Sequence, residues 1–521
     1  MTKTIVLALT VAAFATAAPC GDLGSFLPKG STVTTAEAVE NGELTIAGKT
    51  VKGLPAFCRV SGSLHPTPDS DIRFEVWLPA SGWNGKFHGV GNGGFAGTIN
   101  YAGLIDAVKN KYATASTDTG HADAVNTNAS WALNHPEKII DFGYRGIHET
   151  TLAAKATIKG FYGEAPKKSY FNSCSNGGRQ ALMEAQRYPA DYDGIIAGAP
   201  AYAWTNLLSS GGLSLRLTLA EAGAYFGPKK LPAIQAAALE QCDAADGVKD
   251  GVIENPMACQ FHPAVLLCKG EETDACLTPA QLKAVSSNYE PLHDAKGNVT
   301  FPGMAPGGEA DPGAWANWIT GTEPEKGSAR FGFVTNFFKY IVYSDPQWSY
   351  RTFDLNRDLA AANQKAGAAL NAASPDLSAF QKRGGKLLMY HGWSDAAIPG
   401  ASSVKYYDEV VAKLGASTAS SFTRLYMVPG MGHCAGGSGT SSFGQGGTPA
   451  GDRFTNIDAA LEAWVEQSLA PDSIIAAKPK NPANPSAGVA RTHPLCPWPQ
   501  IAKYKGAGNP DEASSYSCSK P

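Results

Sequence analysis

Past its first seventeen residues the chain has no apolar run long enough to cross a bilayer, which excludes an ordinary membrane-spanning helix from its body. It also lacks an excess of charge of either sign. With 43 Lys and Arg against 46 Asp and Glu, it offers no basic field to nucleic acid and no polybasic patch to an anionic membrane. Charged residues make up only 17% of the 521 residues while 43% are apolar, so global disorder is excluded. A chain of this size should bury a large core and divide into a main domain and a substantial insertion. Nucleotide signatures are missing too. The Gly-rich loop Gly91-Asn92-Gly93-Gly94-Phe95-Ala96-Gly97 has no Gly-Lys-Ser/Thr after its glycines, as a P-loop needs, and no helix with an acid about twenty positions on, as a dinucleotide fingerprint needs. The partner left to expect is small or neutral.

What is present begins with a signal-peptide pattern: Lys3, the apolar run Ile5 to Ala13, then Ala15-Thr16-Ala17 as an A-x-A cleavage site. Removal of residues 1 to 17 predicts a secreted, soluble protein. The ten cysteines all follow that site and are even in number, as an oxidised extracellular chain requires. Asn128 and Asn298 stand in glycosylation sequons.

The stretch Tyr170 to Gln180, Tyr-Phe-Asn-Ser-Cys-Ser-Asn-Gly-Gly-Arg-Gln, organises the rest. A β-prone run meets a cluster of small residues and then helix formers, so Ser173-Cys174-Ser175-Asn176-Gly177 reads as a nucleophile elbow of the small-x-Ser-x-Gly kind, with Ser173 where Gly is usual. In such a turn the Ser175 hydroxyl projects above the sheet and the Asn176 N–H faces a developing oxyanion. Upstream, strands are predicted at Arg73 to Leu78, Lys86 to Val90 and Tyr112 to Asp118, and a helix over Gly146 to Phe161. The Gly91 to Gly97 loop follows directly on a buried strand; it is either an oxyanion loop or a plain tight turn. Downstream, Gly194 to Ala197 is a short strand, after which the αβ alternation pauses until the strands Lys386 to Tyr390 and Arg424 to Val428. The first of these resumed strands leads to Asp395, the second to His433. A last helix, capped by Thr455 or Asn456, carries the stripe Ile457, Ala460, Leu461, Trp464 and Val465. Cys20 with Cys58 could staple the N-terminal piece, and Cys496 and Cys518 the Pro-rich tail to the body.

Residues 201 to 382 mix helical segments with Pro- and Gly-rich stretches and hold four cysteines between positions 242 and 276. A structureless loop of that length is implausible, so an inserted lid domain is expected. Its tryptophans, Trp204, Trp315, Trp318 and Trp348, are either core of that lid or lining of an acyl pocket. Within it, Cys242 to Val252 places Asp243, Asp246 and Asp250 on a Gly-punctuated loop; by spacing alone this is equally an acidic turn or a calcium site.

Ser175, Asp395 and His433 occur in the chain order nucleophile, acid, histidine of α/β-hydrolases, each after a strand-like segment. A serine hydroxyl needs a base within hydrogen-bond reach, and that base an acid that fixes its tautomer. The α/β class with an α/β-hydrolase core, residues 18 to 200 and 383 to 521, and a large inserted lid is therefore expected.

Cys174 precedes Ser175 and Cys434 follows His433, and in this the chain resembles the tannase and feruloyl esterase family, whose Cys-Ser, Asp and His-Cys motifs form a triad buttressed by a disulfide. The resemblance extends to Gly91-Asn92-Gly93-Gly94, Ser116-Thr117-Asp118-Thr119-Gly120-His121, Cys174 to Gln180, Gly198-Ala199-Pro200-Ala201, His391-Gly392-Trp393-Ser394-Asp395 and Gly430-Met431-Gly432-His433-Cys434. It implies a Cys174–Cys434 bridge, a lid that shapes the acyl site, and hydrolysis of esters of hydroxylated aromatic acids. It also implies a structural calcium held by the side chains of Asp243, Asp246 and Asp250 and the carbonyls of Val248 and Val252. The expected protein is thus a secreted carboxylic ester hydrolase of the feruloyl esterase kind, with Asn176, Gly93 and Gly94 at the oxyanion hole, no organic cofactor, and a small aromatic ester or feruloylated polysaccharide as substrate. A tannase acting on galloyl esters is the near rival, a peptidase a weaker one, and a non-catalytic calcium-stabilised binding protein the rival of another class.

Overall fold

The computed structural model describes residues 18 to 294, 296 to 445, 447, 451 to 481, 484 and 487 to 521. The expected signal segment, residues 1 to 17, lies outside them. A nine-stranded sheet forms the centre. Its strands are β1 (Thr32–Val39), β2 (Phe57–Leu64), β3 (Ile72–Pro79), β4 (Lys86–Val90), β5 (Ala113–Thr117), β6 (Lys168–Cys174), β7 (Gly194–Gly198), β8 (Lys386–Gly392) and β9 (Thr423–Val428). In space they run β1-β2-β3-β5-β4-β6-β7-β8-β9. Pairings are antiparallel from β1 through β3 to β5 and parallel from β5 to β9.

Parallel strands need crossovers, so both faces are covered and the strands read as continuous apolar runs. Alternate side chains separate the two faces. Phe87, Phe171, Ile195, Leu387, Met389 and Leu425 pack on one side with residues of α2 (Gly146–Tyr162), α3 (Asn176–Arg187) and α4 (Ala401–Leu414). Their neighbours Tyr170, Ile196, Leu388, Tyr390 and Tyr426 point the other way, against Ala107 of α1 (Tyr101–Lys109) and Ile457, Leu461 and Trp464 of α5 (Ile457–Gln467). Of the two cap candidates for α5, Asn456 is the one used: its side chain accepts from the Ala459 N–H at 2.9 Å. The N-terminal piece joins the sheet as extended strands. Cys20–Cys58 ties its first helical turn to β2, and β1 and β2 extend the sheet.

Between β7 and β8 the chain leaves the sheet. The outer part of this insertion closes on its own core, including Phe226, Leu231, Ile234, Val285 and Trp315, and is stapled by Cys242–Cys259 and Cys268–Cys276. Its first and last parts share a second core with Phe95 and Ala129 from loops and Phe142 from the helical segment Asp141–Arg145. At the C-terminus, Cys496 and Cys518 pair with each other, closing the tail on itself. What fastens the tail to the body is backbone and charge: Trp498 N–H donates to Leu425 O at 2.8 Å, and Arg491 pairs with Asp250.

Candidate active site

Ser175 occupies the turn between β6 and α3 with φ 68° and ψ −124°, a conformation an L-residue adopts only when its surroundings impose it. Two glycines allow α3 to start this close to the sheet. A Cβ on Gly177 would lie 1.8 Å from the Ser173 hydroxyl, and one on Gly178 would lie 2.2 Å from Gly198 O. Ser173 is therefore tolerated in place of the usual Gly because Gly177 leaves it room.

The ends of β6, β8 and β9 bring the three sequence candidates together. His433 Nε2 lies 2.9 Å from Ser175 Oγ, and His433 Nδ1 lies 2.7 Å from Asp395 Oδ2. A carboxylate only accepts, so Nδ1 carries the hydrogen and Nε2 is left to accept from the serine hydroxyl. Asp395 is buried, and its other oxygen accepts from Ala397 N–H at 2.8 Å and Ile398 N–H at 2.9 Å. Burial alone would push this carboxyl up, but the electrostatic attraction and hydrogen bonds of the two imidazoles that face it, His433 and His391, outweigh it and hold Asp395 well below the usual carboxylate range. Cys174 and Cys434 are bonded, with Cα atoms 6.0 Å apart, so the elbow and the histidine loop are covalently joined.

Gly93, Gly94 and Asn176 stand beside Ser175 on one wall of the same cavity. None of their backbone N–H groups has a hydrogen-bond partner among the described residues. The loop is fixed to α3 by a paired contact: Gln180 Nε2 donates to Asn92 Oδ1 at 3.0 Å, and Asn92 N–H to Gln180 Oε1 at 3.0 Å. The motif ending in His121 supports it from behind, His121 Nε2 reaching Phe95 O at 2.7 Å and Asp118 O accepting from Gly97 N–H at 3.2 Å. Burial lowers His121 to about 4, so it stays neutral and Nε2 donates. Asn92, Gln180 and His121 are present in the sequence motifs, but only the fold reveals what they hold.

The cavity is about 320 Å³ and mostly apolar. Trp204, Phe301, Trp318 and Phe333 give it aromatic walls, and its few polar side chains beyond Ser175, Asn176 and His433 are Asn126, Ser210 and Arg330. Of the four tryptophans of the insertion, Trp204 and Trp318 line the cavity, while Trp315 and Trp348 are core. Trp318 also packs edge-on against His433, ring centroids 4.9 Å apart. Sequence reading misses Asn126 and Arg330, since a lone Asn or Arg in a loop or helix carries no motif.

In the acidic loop, Asp243 accepts from Asp250 and Gly251 N–H at 3.2 and 3.0 Å, which curls the chain on itself. Burial and the charges of Glu254, Asp250 and Asp243 push Asp246 up to about 6, and burial raises Asp250 as well. The carbonyls of Val248 and Val252 accept no hydrogen bond among the described residues. Asp250 is paired with Arg491, but Asp246 has no cation beside it among the described residues, and with the Val248 and Val252 carbonyls it leaves hard oxygen donors of the kind calcium takes. Although remote in sequence from His433, the loop faces Pro429, Gly439 and Thr440, at the base of the loop that carries it. A second group, His148, Glu184 and Asp191, could be compared with a metal site. There Lys155 donates to Asp191 O and its charge opposes that of Glu184, so a counter-charge is already present.

A serine, histidine and buried aspartate at the ends of parallel strands, in this strand order, define a serine hydrolase on an α/β-hydrolase fold, here a carboxylic ester hydrolase. The sequence matches the family Tannase and feruloyl esterase over residues 58–519, and the chain belongs to that family. It is 41% identical to an uncharacterized esterase of Xanthomonas campestris pv. campestris, over 98% of this chain and 92% of the relative. It is 34% identical to a probable feruloyl esterase B-2 of Aspergillus terreus, over 95% and 92%. The crystal structure of feruloyl esterase B from Aspergillus oryzae superposes with a TM-score of 0.87 at 32% identity, covering 96% of this chain and 99% of that one.

Proposed function

We propose that the protein hydrolyses esters of hydroxycinnamic acids, such as feruloyl groups on plant cell-wall polysaccharide, with Ser175 as nucleophile. Ser175 Oγ attacks the ester carbonyl carbon while His433 Nε2 takes the hydroxyl proton. The carbonyl oxygen becomes an oxyanion bound by the N–H groups of Asn176 and the Gly93-Gly94 loop. As the C–O bond to the alcohol breaks, His433 returns the proton to the leaving oxygen, and a water activated by His433 then releases the acid from the acyl-enzyme. Asp395 holds the imidazole in the required tautomer throughout.

The observation that carries the choice of acid is the apolar, aromatic-walled cavity beside Ser175. A methoxylated cinnamoyl ring matches such walls, whereas a galloyl ring brings adjacent hydroxyls that Asn126, Ser210 and Arg330 would have to satisfy. Arg330 already gives hydrogen bonds to Ser214 Oγ at 2.9 Å and Asn288 Oδ1 at 2.5 Å. Initial rates on methyl ferulate and methyl gallate test the reading: a higher kcat/KM on the gallate would replace it with a tannase.

The same proposal includes the supporting features. Calcium held by Asp243, Asp246 and Asp250 with the Val248 and Val252 carbonyls would serve stability and no chemical step. Secretion is supported by five disulfides among the described residues. Of the two sequons, Asn298 is the exposed one and the better candidate for glycosylation. The inserted segment acts as the lid, since Trp204, Phe301 and Trp318 come from it.

A further inference from the structure

Asp395 Oδ2 serves two imidazoles. Besides His433, the buried His391 at the end of β8 places its Nε2 3.2 Å from the same oxygen. That Nε2 also lies 3.1 Å from Ile398 O. Both neighbours are acceptors, so Nε2 must carry a hydrogen. The opposite nitrogen, Nδ1, faces Ser403 Oγ of α4 at 2.7 Å, and in the neutral ring it accepts the serine hydroxyl proton. Ser403 therefore completes a fixed orientation of the His391 ring, with its one N–H shared between the acid and the loop that follows it.

From this geometry we infer that His391 is a positioning residue for the hydrolytic reaction: it holds Asp395, and through Asp395 the imidazole of His433, in the reactive arrangement. The inference rests on the role of Asp395 proposed above. Three other constraints on Asp395 come from elsewhere, the Ala397 and Ile398 N–H groups on one oxygen and His433 on the other. The N–H groups tie the carboxylate only to its own turn. His391 alone ties it to the sheet, because its ring is carried by β8 and braced by α4. The bond to Ile398 O has a second effect. Ala396, Ala397, Ile398 and Pro399 form one wall of the acyl cavity, so a single side chain sets both the acid and that wall.

The test compares His391→Leu, which removes the donor, with His391→Gln, whose amide N–H can reach the place of Nε2, and His391→Asn, whose shorter amide reaches only the place of Nδ1. Each is assayed on methyl ferulate and on p-nitrophenyl acetate, whose acyl group is too small to need the aromatic walls, and each is melted. The Leu and Asn variants are expected to lose kcat by about ten- to a hundredfold on both substrates, the strength of a hydrogen bond to a charged group. The Gln variant should recover most of that loss even where its melting temperature stays below that of the wild type. Should the Leu variant fail to fold, the Gln and Asn pair carries the comparison. The inference is overturned if Asn is as active as Gln, if folded variants keep full kcat, or if only ferulate turnover falls, which would leave His391 a support of the cavity wall. Asp395→Asn, measured alongside, separates the two levels. Full activity in that variant would defeat the proposed triad itself, whereas its collapse with unaffected His391 variants would defeat this inference alone.

Discussion

Cys174 and Cys434, 260 positions apart in the chain, are bonded to each other, and each is the immediate neighbour of a residue of the Ser175–His433 pair. Closing so long a loop would by its entropy alone give a few kcal/mol. A bridge that also holds nucleophile and base in register has a second, kinetic effect. Replacing both cysteines by Ser should lower the melting temperature and also cost roughly 100-fold in kcat well below that temperature, because a misplacement of about 1 Å is enough. Full turnover by the folded double variant would reduce the bridge to a stability element.

Ser175→Ala should fold with an unchanged far-ultraviolet spectrum and lose ester turnover by several orders of magnitude. Asp395→Asn should also be impaired, by about 10⁴-fold in comparable triads, because the amide imposes the wrong His433 tautomer. Stopped-flow acylation rates measured at equal folded fraction check both. Burst formation of alcohol by Ser175→Ala would assign the nucleophile elsewhere.

Calcium should act on stability. A chelator removes a ligand bound only by the folded state, so the melting temperature should fall with falling free calcium. The initial rate of still-folded enzyme should change little, since the Cys174–Cys434 bridge pins the histidine loop independently of the acidic loop beneath it. Asp246→Ala should melt early and stop responding to the chelator; a variant that still responds as the wild type does would remove this loop as the binding site.

Asp118 offers a pH test away from the chemistry. Its Oδ1 accepts from Arg73 and Gly120 N–H at 3.0 and 2.9 Å, its Oδ2 is buried without a partner, and burial raises it to about 7. The folded state thus holds this proton more tightly than the unfolded state does. Stability is lost as pH rises from the ordinary carboxyl range through about 7, as the buried group is forced to ionise. Asp118→Asn keeps the accepting oxygen and removes the charge, so it should melt higher than the wild type at about pH 8, on the order of 2–4 °C, and show no advantage near about pH 4. A difference independent of pH would contradict the assignment.

Much of the site is legible in the chain because its parts sit where apolar runs end. β6, β8 and β9 are short buried runs; Ser175 follows the first directly, and Asp395 and His433 stand in the loops that leave the other two. The His391 ring was legible only as part of a motif, since its contact with Ser403 depends on α4, a helix that starts after Gly400 with no side-chain cap to announce it. The same limit applies to the tryptophans. Trp318 and Trp315 are three positions apart, yet one faces His433 and the other a separate core. Helical spacing signals burial but does not distinguish a cavity wall from a packed interior. The approach of the acidic loop to Pro429 and Thr440 is a long-range contact that no local pattern encodes.

The most direct measurement is mass spectrometry of the enzyme quenched in acid during steady-state turnover of an activated feruloyl ester, followed by peptide mapping. The account predicts one feruloyl group, attached to the peptide that contains Ser175, absent from Ser175→Ala and accumulating in preference to a galloyl group when both esters compete. An acyl group on another residue, or release of ferulic acid by Ser175→Ala at the wild-type rate, would contradict it.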